Sequence, residues 1–305
     1  MWVHRLLGMC SIYLVILMPV DANIELILGT AQLVTSYGVT RDQEIPATHQ
    51  SAKEFLRNAF DKKVLTLDTA PAYGDAEKVI GESGIPFKIH TKLRRGVNAL
   101  DSLEASKVNL QAENIEVVYI HDIDAFRSDS KKMINDLSKI LDHGVNHIGV
   151  SIYDEDDLAL VRKFRQVTFV QVPMNILDRR FSGQKVQEMN SSGLSVVVRS
   201  AFLQGVLLAD SATLRPEVRH LKDFVDRFQL EGKKIGLDPV TACLHWVISQ
   251  SKLSGVIVGA QNNGEFDAIR NSWEKARNLT FDDSWAEVIP VPNSDAIDPR
   301  KWRAL

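Results

Sequence analysis

The sequence predicts an α/β protein, a single-domain (β/α)8 TIM barrel, and three observations lead there. Short β-prone runs alternate with helical segments from residue 24 to residue 276, giving eight strand–helix units. Several of the runs are almost continuously apolar, as in IELIL at 24–28 and IEVVYI at 115–120, the pattern of strands buried on both faces of a parallel sheet. No hairpin signal joins one run to the next. A doubly wound open sheet is the competing arrangement, but the first run is followed by GTAQLVTSYG, which lacks G-x-G-x-x-G. A barrel of this kind fills about 250 residues or more as one unit, so a chain of 305 residues needs no second one.

The elements follow in order. The strand at 24–28 closes in Gly29-Thr30, with Tyr37-Gly38 in the loop beyond. Residues 48–62 suit an amphipathic helix whose inner face is Ala52, Phe55, Leu56 and Ala59. A strand at 64–67 stops abruptly in Asp68, Thr69, Tyr73, Gly74 and Asp75. Residues 75–83 then start a helix with Asp75 as N-cap and Glu77 in its first turn. The strand at 87–91 ends in Lys92, and a helix at 98–112 turns Leu100, Leu103 and Val108 inward. The strand at 115–120 ends in His121. A helix at 130–142 buries Met133, Leu137 and Leu141 and stops at Gly144.

The alternation continues with a strand at 147–150 ending in Ser151, a helix at 154–165, and a strand at 169–172 carrying Gln171. A helix near 183–191 precedes the strand at 194–198, which ends in Arg199-Ser200. Helices at 215–230 and 239–250 lead to the last strand, 255–258, ending in Gly259-Ala260, and to a helix at 264–276. Beyond 277 a tail carries one short helix, and its last dozen residues are read as loop. Trp246 and Trp273 are assigned to core packing, and His90, in mid-strand, to the helix-facing side with no role.

Composition excludes several classes. With 45% hydrophobic and 25% charged residues the chain is ordinary for a soluble globular protein. A net charge of −3, with lysines and arginines spread along the chain, gives no reason to expect a nucleic-acid partner. The two cysteines, Cys10 and Cys243, are far apart, against a disulfide framework or a Cys-ligated metal. The HDID of 121–124 has no second ligand cluster to make a metal site, so none is expected.

The chemistry lies at the strand ends. Lys92 follows Asp68 by 24 residues and His121 follows Lys92 by 29, each about one strand–helix–strand step. Adjacent parallel strands lie roughly 5 Å apart, so an acid, a tyrosine, a lysine and a histidine converge on one rim. A free tyrosine, with a pKa of about 10, donates its proton poorly near neutrality, and a neighbouring ammonium favours the phenolate. A buried lysine needs a partner, which Asp68 supplies. A neutral imidazole at His121 can hydrogen-bond a substrate oxygen. Such groups polarise and protonate a carbonyl oxygen but carry no electrons, so a hydride must come from a bound cofactor. Taken singly each residue has a bland reading: a structural ion pair, a loop tyrosine, a core histidine. Their order at successive strand ends outweighs those readings.

DTAPAYGDAE at 68–77 resembles the DTA-x-x-YG-x-x-E signature of the aldo-keto reductases, and Lys92 and His121 fall where that family keeps the rest of its catalytic tetrad. The resemblance spans about 24–276 and includes Gly29-Thr30, GVS at 149–151, VQVPMN at 170–175, RSAFLQG at 199–205 and VIVGA at 256–260. GTAQ and the short loops resemble bacterial members associated with surface-sugar biosynthesis. The resemblance implies NAD(P)H-dependent reduction of a small polar or sugar-like aldehyde or ketone. Tyr73 would be the general acid, Lys92 its tuner, Asp68 the partner of Lys92, and His121 would orient the carbonyl. NADPH is the family default. Its nicotinamide amide would meet Ser151 and Gln171, its pyrophosphate Ser200, Phe202 and Gly205, and its adenosine end Gly259, Ala260, Gln261 and the helix starting near Asn263. Gly29, Thr30 and Asp68 complete the cofactor set.

Three departures bear on this. Residue 152 is Ile where many members carry Asn, and no aromatic follows His121, since Asp122-Ile123 stands there. Glu265 falls where a 2′-phosphate would be met by Arg or Gln and would repel it, with Arg270 as a candidate compensator, so NADH use stays open. The alternatives are a nucleotide-binding, redox-sensing regulatory subunit with little turnover, and a Schiff-base lyase or isomerase on Lys92.

Residues 1–22 stand apart. MWVHR precedes the 15-residue apolar run LLGMCSIYLVILMPV, too short for a bilayer-spanning helix, and Val20-Asp21-Ala22 makes a weak cleavage site. This stretch is either a signal-like segment, with export or membrane anchoring, or an extension upstream of Met18. The extension is favoured because the rest of the chain uses an intracellular cofactor, which places the protein in the cytoplasm. The chain thus divides into the extension 1–22, a catalytic barrel 23–277 and the tail 278–305.

Overall fold

Each apolar run pairs with its neighbours in sequence, as parallel strands linked by helices must. The computed structural model describes residues 23–34, 48–121, 123–250, 252–280 and 283–302. In it, β1 (Glu25–Gly29), β2 (Thr66–Asp68), β3 (Lys88–Lys92), β4 (Ile115–Ile120), β5 (Val145–Ser151), β6 (Val167–Pro173), β7 (Ser195–Arg199) and β8 (Gly255–Gly259) close into one parallel barrel in sequence order. Closure is made by β1 on β8, with Glu25 opposite Gly255 and Gly29 opposite Gly259. The expected residues Tyr37-Gly38, Asp122 and 1–22 lie outside the described residues.

The helices are α1 (His49–Asp61), α2 (Ala76–Ser83), α3 (Ala99–Leu110), α4 (Ile123–Ser128), α5 (Ser130–Ile140), α6 (Glu155–Val161), α7 (Gln184–Ser191), α8 (Lys222–Lys234), α9 (Pro239–Ile248) and α10 (Asn263–Arg277). Helix α1 buries Ala52, Phe55, Leu56 and Ala59, the face its periodicity predicts, and Thr48 caps it by accepting from Ser51 N. Trp246 and Trp273 are buried in the core.

Three local expectations fail for physical reasons. Val108 is 75% exposed. The inner face of α3 is Ala99, Ser102, Leu103, Ser106 and Leu110, and apolar periodicity alone passes over its serines. The Ser102 hydroxyl accepts from Arg94 N at 2.8 Å, which lets it lie in the core. Leu141 is exposed because the chain tightens into a 3₁₀ turn at Leu141–His143, and α5 buries Ile134, Leu137 and Ile140 instead. Asp75 makes no side-chain cap on α2 and instead faces His49 at 3.3 Å. Helix α4 and the 3₁₀ turns at Leu203–Leu208 and Pro216–Leu221 had no separate sequence signal.

The tail is packed rather than loose. Ile289, Ile297 and Trp302 are buried, and Trp302 donates its indole N–H to the Ala296 carbonyl at 2.8 Å. Among the described residues no helix is long and apolar enough to cross a membrane.

Candidate active site

Side chains alternate between the barrel interior and the helix layer along each strand, so one residue per strand meets the interior at the carboxyl rim. Those residues are Gly29, Asp68, Lys92, His121, Ser151, Gln171, Arg199 and Gly259, and all eight line a single cavity of about 430 Å³. Tyr73, in the β2–α2 loop, lines it too, as do Ser200, Phe202, Gly205 and Glu265. Thr30, Ala260 and Gln261 do not belong to this lining. Thr30 is buried beneath it and donates its hydroxyl to the Asp68 carbonyl at 3.1 Å.

Lys92 is the centre of the arrangement. Its ammonium lies 2.6 Å from Asp68 Oδ1, 2.9 Å from the Thr69 carbonyl and 4.9 Å from the centroid of the Tyr73 ring. Burial pulls the Lys92 pKa down, but the charge of Asp68, the phenolate form of Tyr73 and hydrogen bonds to both outweigh it and leave the value raised. The ammonium is therefore fixed as a cation against the phenol. The second Asp68 oxygen accepts from Gln171 Nε2 at 2.5 Å, so the buried carboxylate is satisfied on both sides. His121 follows β4 and is exposed at the mouth. Glu77, last residue of the 68–77 stretch, is buried behind the wall, where Thr91 donates to it at 2.7 Å and burial raises its pKa.

The layer below is polar in part. His90 shares its strand face with Lys92, two positions on, so alternation turns it into the barrel and not toward the helices as expected. Its ring lies 5.8 Å from that of Tyr119 and 5.9 Å from that of Phe169. Burial lowers its pKa to about 4, against the opposing charge of Asp68. Tyr119 is fully buried; burial first, then Asp68, raises its pKa well above the usual phenol range, opposed by a hydrogen bond with Gln171. Gly149 makes room for that ring: a Cβ there would sit 2.3 Å from Tyr119 Cδ1.

On the β8–β1 side Gly29 and Gly259 carry no side chain, and Gln32 and Ile257 line the cavity beside them. A Cβ at Gly259 would come within 2.6 Å of Gln32 Oε1. The loop after β7 holds Ser200, Leu203, Gln204 and Gly205 at positive φ, a turn that non-glycine residues adopt only when their surroundings impose it. Asn175 Nδ2 ties the loop down through the Ser200 carbonyl at 3.1 Å. At the start of α10 the Glu265 carboxylate is held by backbone. Glu265 Oε2 accepts from Gln261 N at 3.0 Å, while Asn262 caps the helix through Glu265 N. Arg270 does not compensate for this charge. Its Nε donates to the Lys62 carbonyl at 3.1 Å and its Nη1 pairs with Glu274, away from the cavity.

Several lining residues stood outside the expected site set, Arg199 and Tyr153 among them. The signal for Arg199 was present: it ends β7 as Lys92 ends β3, and the strand-end rule names it. Among the described residues no cluster of three or more His, Cys, Asp or Glu could hold a metal.

A closed parallel barrel whose rim joins a lysine–aspartate pair to a tyrosine defines a carbonyl-directed oxidoreductase class, and comparison with known proteins agrees. The chain matches the profile of the Aldo/keto reductase family over residues 25–287 and belongs to that family. It is 19% identical to aldo-keto reductase YhdN of Bacillus subtilis (strain 168) over 258 residues, covering 71% of this chain and 76% of that protein. Among solved structures it resembles the glycerol dehydrogenase AKR11B4 from Gluconobacter oxydans, with a TM-score of 0.66, 18% identity and coverage of 87% and 89% of the two chains. It also resembles aldo-keto reductase AKR11C1 from Bacillus halodurans, with a TM-score of 0.65, 16% identity and coverage of 92% and 91%. At these identities the structural likeness speaks for the fold.

Proposed function

We propose that the protein reduces a small polar aldehyde or ketone to the alcohol, using a nicotinamide dinucleotide held along the β7–β8–β1 side of the cavity. The observation that carries this is the Lys92 ammonium lodged between Asp68 and Tyr73 in one cavity with His121. Bound there, a reduced nicotinamide ring supplies the hydride. Tyr73 gives its phenolic proton to the carbonyl oxygen as that oxygen gains charge. Lys92 stabilises the phenolate left behind, and Asp68 keeps Lys92 charged and in place. His121 hydrogen-bonds the same carbonyl oxygen and sets its direction toward Tyr73.

The residues suit such a cofactor at its nicotinamide and pyrophosphate end. Gly29 and Gly259 present backbone to the cavity, and Ser151, Gln171, Ser200 and Gly205 line it with them. Gln171 would share its amide between Asp68 and the nicotinamide. At the adenosine end Glu265 favours a free 2′-hydroxyl over a 2′-phosphate by like-charge repulsion, which points to NADH over the family's usual NADPH. A cytoplasmic site of action and a catalytic unit of residues 23–277 belong to the same proposal, because the nicotinamide nucleotides are intracellular.

The test is a fluorescence titration with NADH and NADPH side by side, followed by a panel of small aldehydes, ketones and reducing sugars scored by nucleotide oxidation. Binding of either nucleotide with turnover of at least one carbonyl compound is expected. Failure to bind either nucleotide would end the proposal.

A further inference from the structure

Among the described residues Arg199 has no acid partner. Arg127 pairs with Asp124, Asp154 and Asp157, Arg180 with Asp178, and Arg300 with Asp298. Arg199, at the rim of β7 and lining the cavity, has two side-chain interactions with the described residues. Its Nη2 donates to the Ile152 carbonyl at 3.1 Å, and its guanidinium carbon lies 4.1 Å from the centroid of the Tyr153 ring. Its Nε is buried and has no hydrogen-bond partner among the described residues. The cation is held in place by a ring and a carbonyl, neither of which neutralises it, and Arg300 stacks on the same ring at 3.6 Å.

The described acids that line the cavity are engaged elsewhere. Asp68 is taken by Lys92 and Gln171, and Glu265 accepts from the Gln261 backbone. A buried charged donor left unpaired is costly, and a ligand oxygen that reaches it removes the cost. A guanidinium with free donors in a fixed plane favours a two-oxygen anion over a neutral group.

We infer that Arg199 anchors an anionic group of the substrate, so that the preferred carbonyl compound carries a carboxylate or phosphate and is held between Arg199 and Tyr73. This rests on the carbonyl-reductase proposal for the same cavity. The nucleotide pyrophosphate is the other source of anionic oxygen, and the experiment separates the two.

Two aldehydes of nearly equal shape serve as probes, 4-carboxybenzaldehyde and 4-formylbenzamide. Their binding is measured by calorimetry on the full chain, with and without saturating oxidised nucleotide, and their reduction by kcat/KM. The carboxylate is expected to bind about tenfold or more tightly than the amide, a ratio set by one charge-assisted contact. In Arg199→Met that ratio falls to within about twofold, and in Arg199→Lys part of it returns. Nucleotide affinity stays within about twofold across the set. Equal behaviour of the two probes in the unaltered protein, including no binding of either, overturns the inference without needing a variant to fold. Loss of nucleotide affinity in Arg199→Met with the probe ratio retained also overturns it and gives the guanidinium to the pyrophosphate. Selective binding of the carboxylate without reduction of either aldehyde leaves the anchor standing and removes the reductase proposal.

Discussion

The Gln171 amide donates to Asp68 at 2.5 Å, on the carboxylate oxygen that Lys92 does not use. The chain thereby satisfies a buried carboxylate with one charged and one neutral donor from strands 24 and 103 residues away in sequence. Gln171→Leu leaves an Asp68 oxygen without that donor and is expected to cost about 1–3 kcal/mol of unfolding free energy. Urea unfolding at neutral pH measures it. A change within about 0.5 kcal/mol, the range of an ordinary surface substitution, would show that the bond carries no weight.

Lys92→Met removes the cation and strands Asp68 in the barrel. Breaking a buried pair this way costs about 3–5 kcal/mol. Adding Asp68→Asn should recover part of that loss, since no buried charge then remains. If the double variant is as unstable as the sum of the single ones, the two residues do not act as a pair.

Tyr73→Phe keeps the ring and deletes the proton. Turnover is expected to fall by about 10²–10⁴, with nucleotide dissociation constants nearly unchanged. Stopped turnover with lost nucleotide binding would instead mark a structural role, and full activity would remove Tyr73 from the mechanism.

His90 makes stability depend on acidity. Its folded-state pKa of about 4 lies below the ordinary value of 6.5, so between those values the unfolded chain holds more protons than the folded one. Stability therefore rises with pH across that window. It is complete above about pH 6.5 and falls as the pH drops to about 4, by roughly 3 kcal/mol from this group. His90→Gln should flatten the acid limb of a plot of unfolding free energy against pH. An unchanged limb would assign the acid sensitivity to other groups.

Glu265→Arg should shift nucleotide choice. Replacing a carboxylate by a guanidinium at the start of α10 is expected to raise NADPH affinity relative to NADH by about tenfold or more. Parallel titrations of the two nucleotides read the ratio directly. No movement would place the 2′-position away from Glu265.

Much of this was legible in the residues. Unbroken apolar runs marked the strands, and the rule that strands end at the rim placed Asp68, Lys92 and His121 together. What was lost followed from reading apolarity alone. Ser102 and Ser106 hold core positions on α3 because they are small and the first is hydrogen-bonded, so Val108 was credited with a face that it does not have. His90 was turned outward although its parity with Lys92 fixes it inward. Arg270 was counted by sequence distance from Glu265, but its Nε bond to Lys62 decides its direction. Arg199 was read as part of a motif and not as the rim residue of its strand.

Because six of the eight rim positions carry a side chain and the other two are glycines, the barrel behaves as a keyboard with six keys. Swapping the key at position 199 or 151 retunes what is gripped, while the aromatic floor of Tyr119 and Phe169 keeps the frame in register. Laboratory redesign of this scaffold can proceed one β-edge at a time.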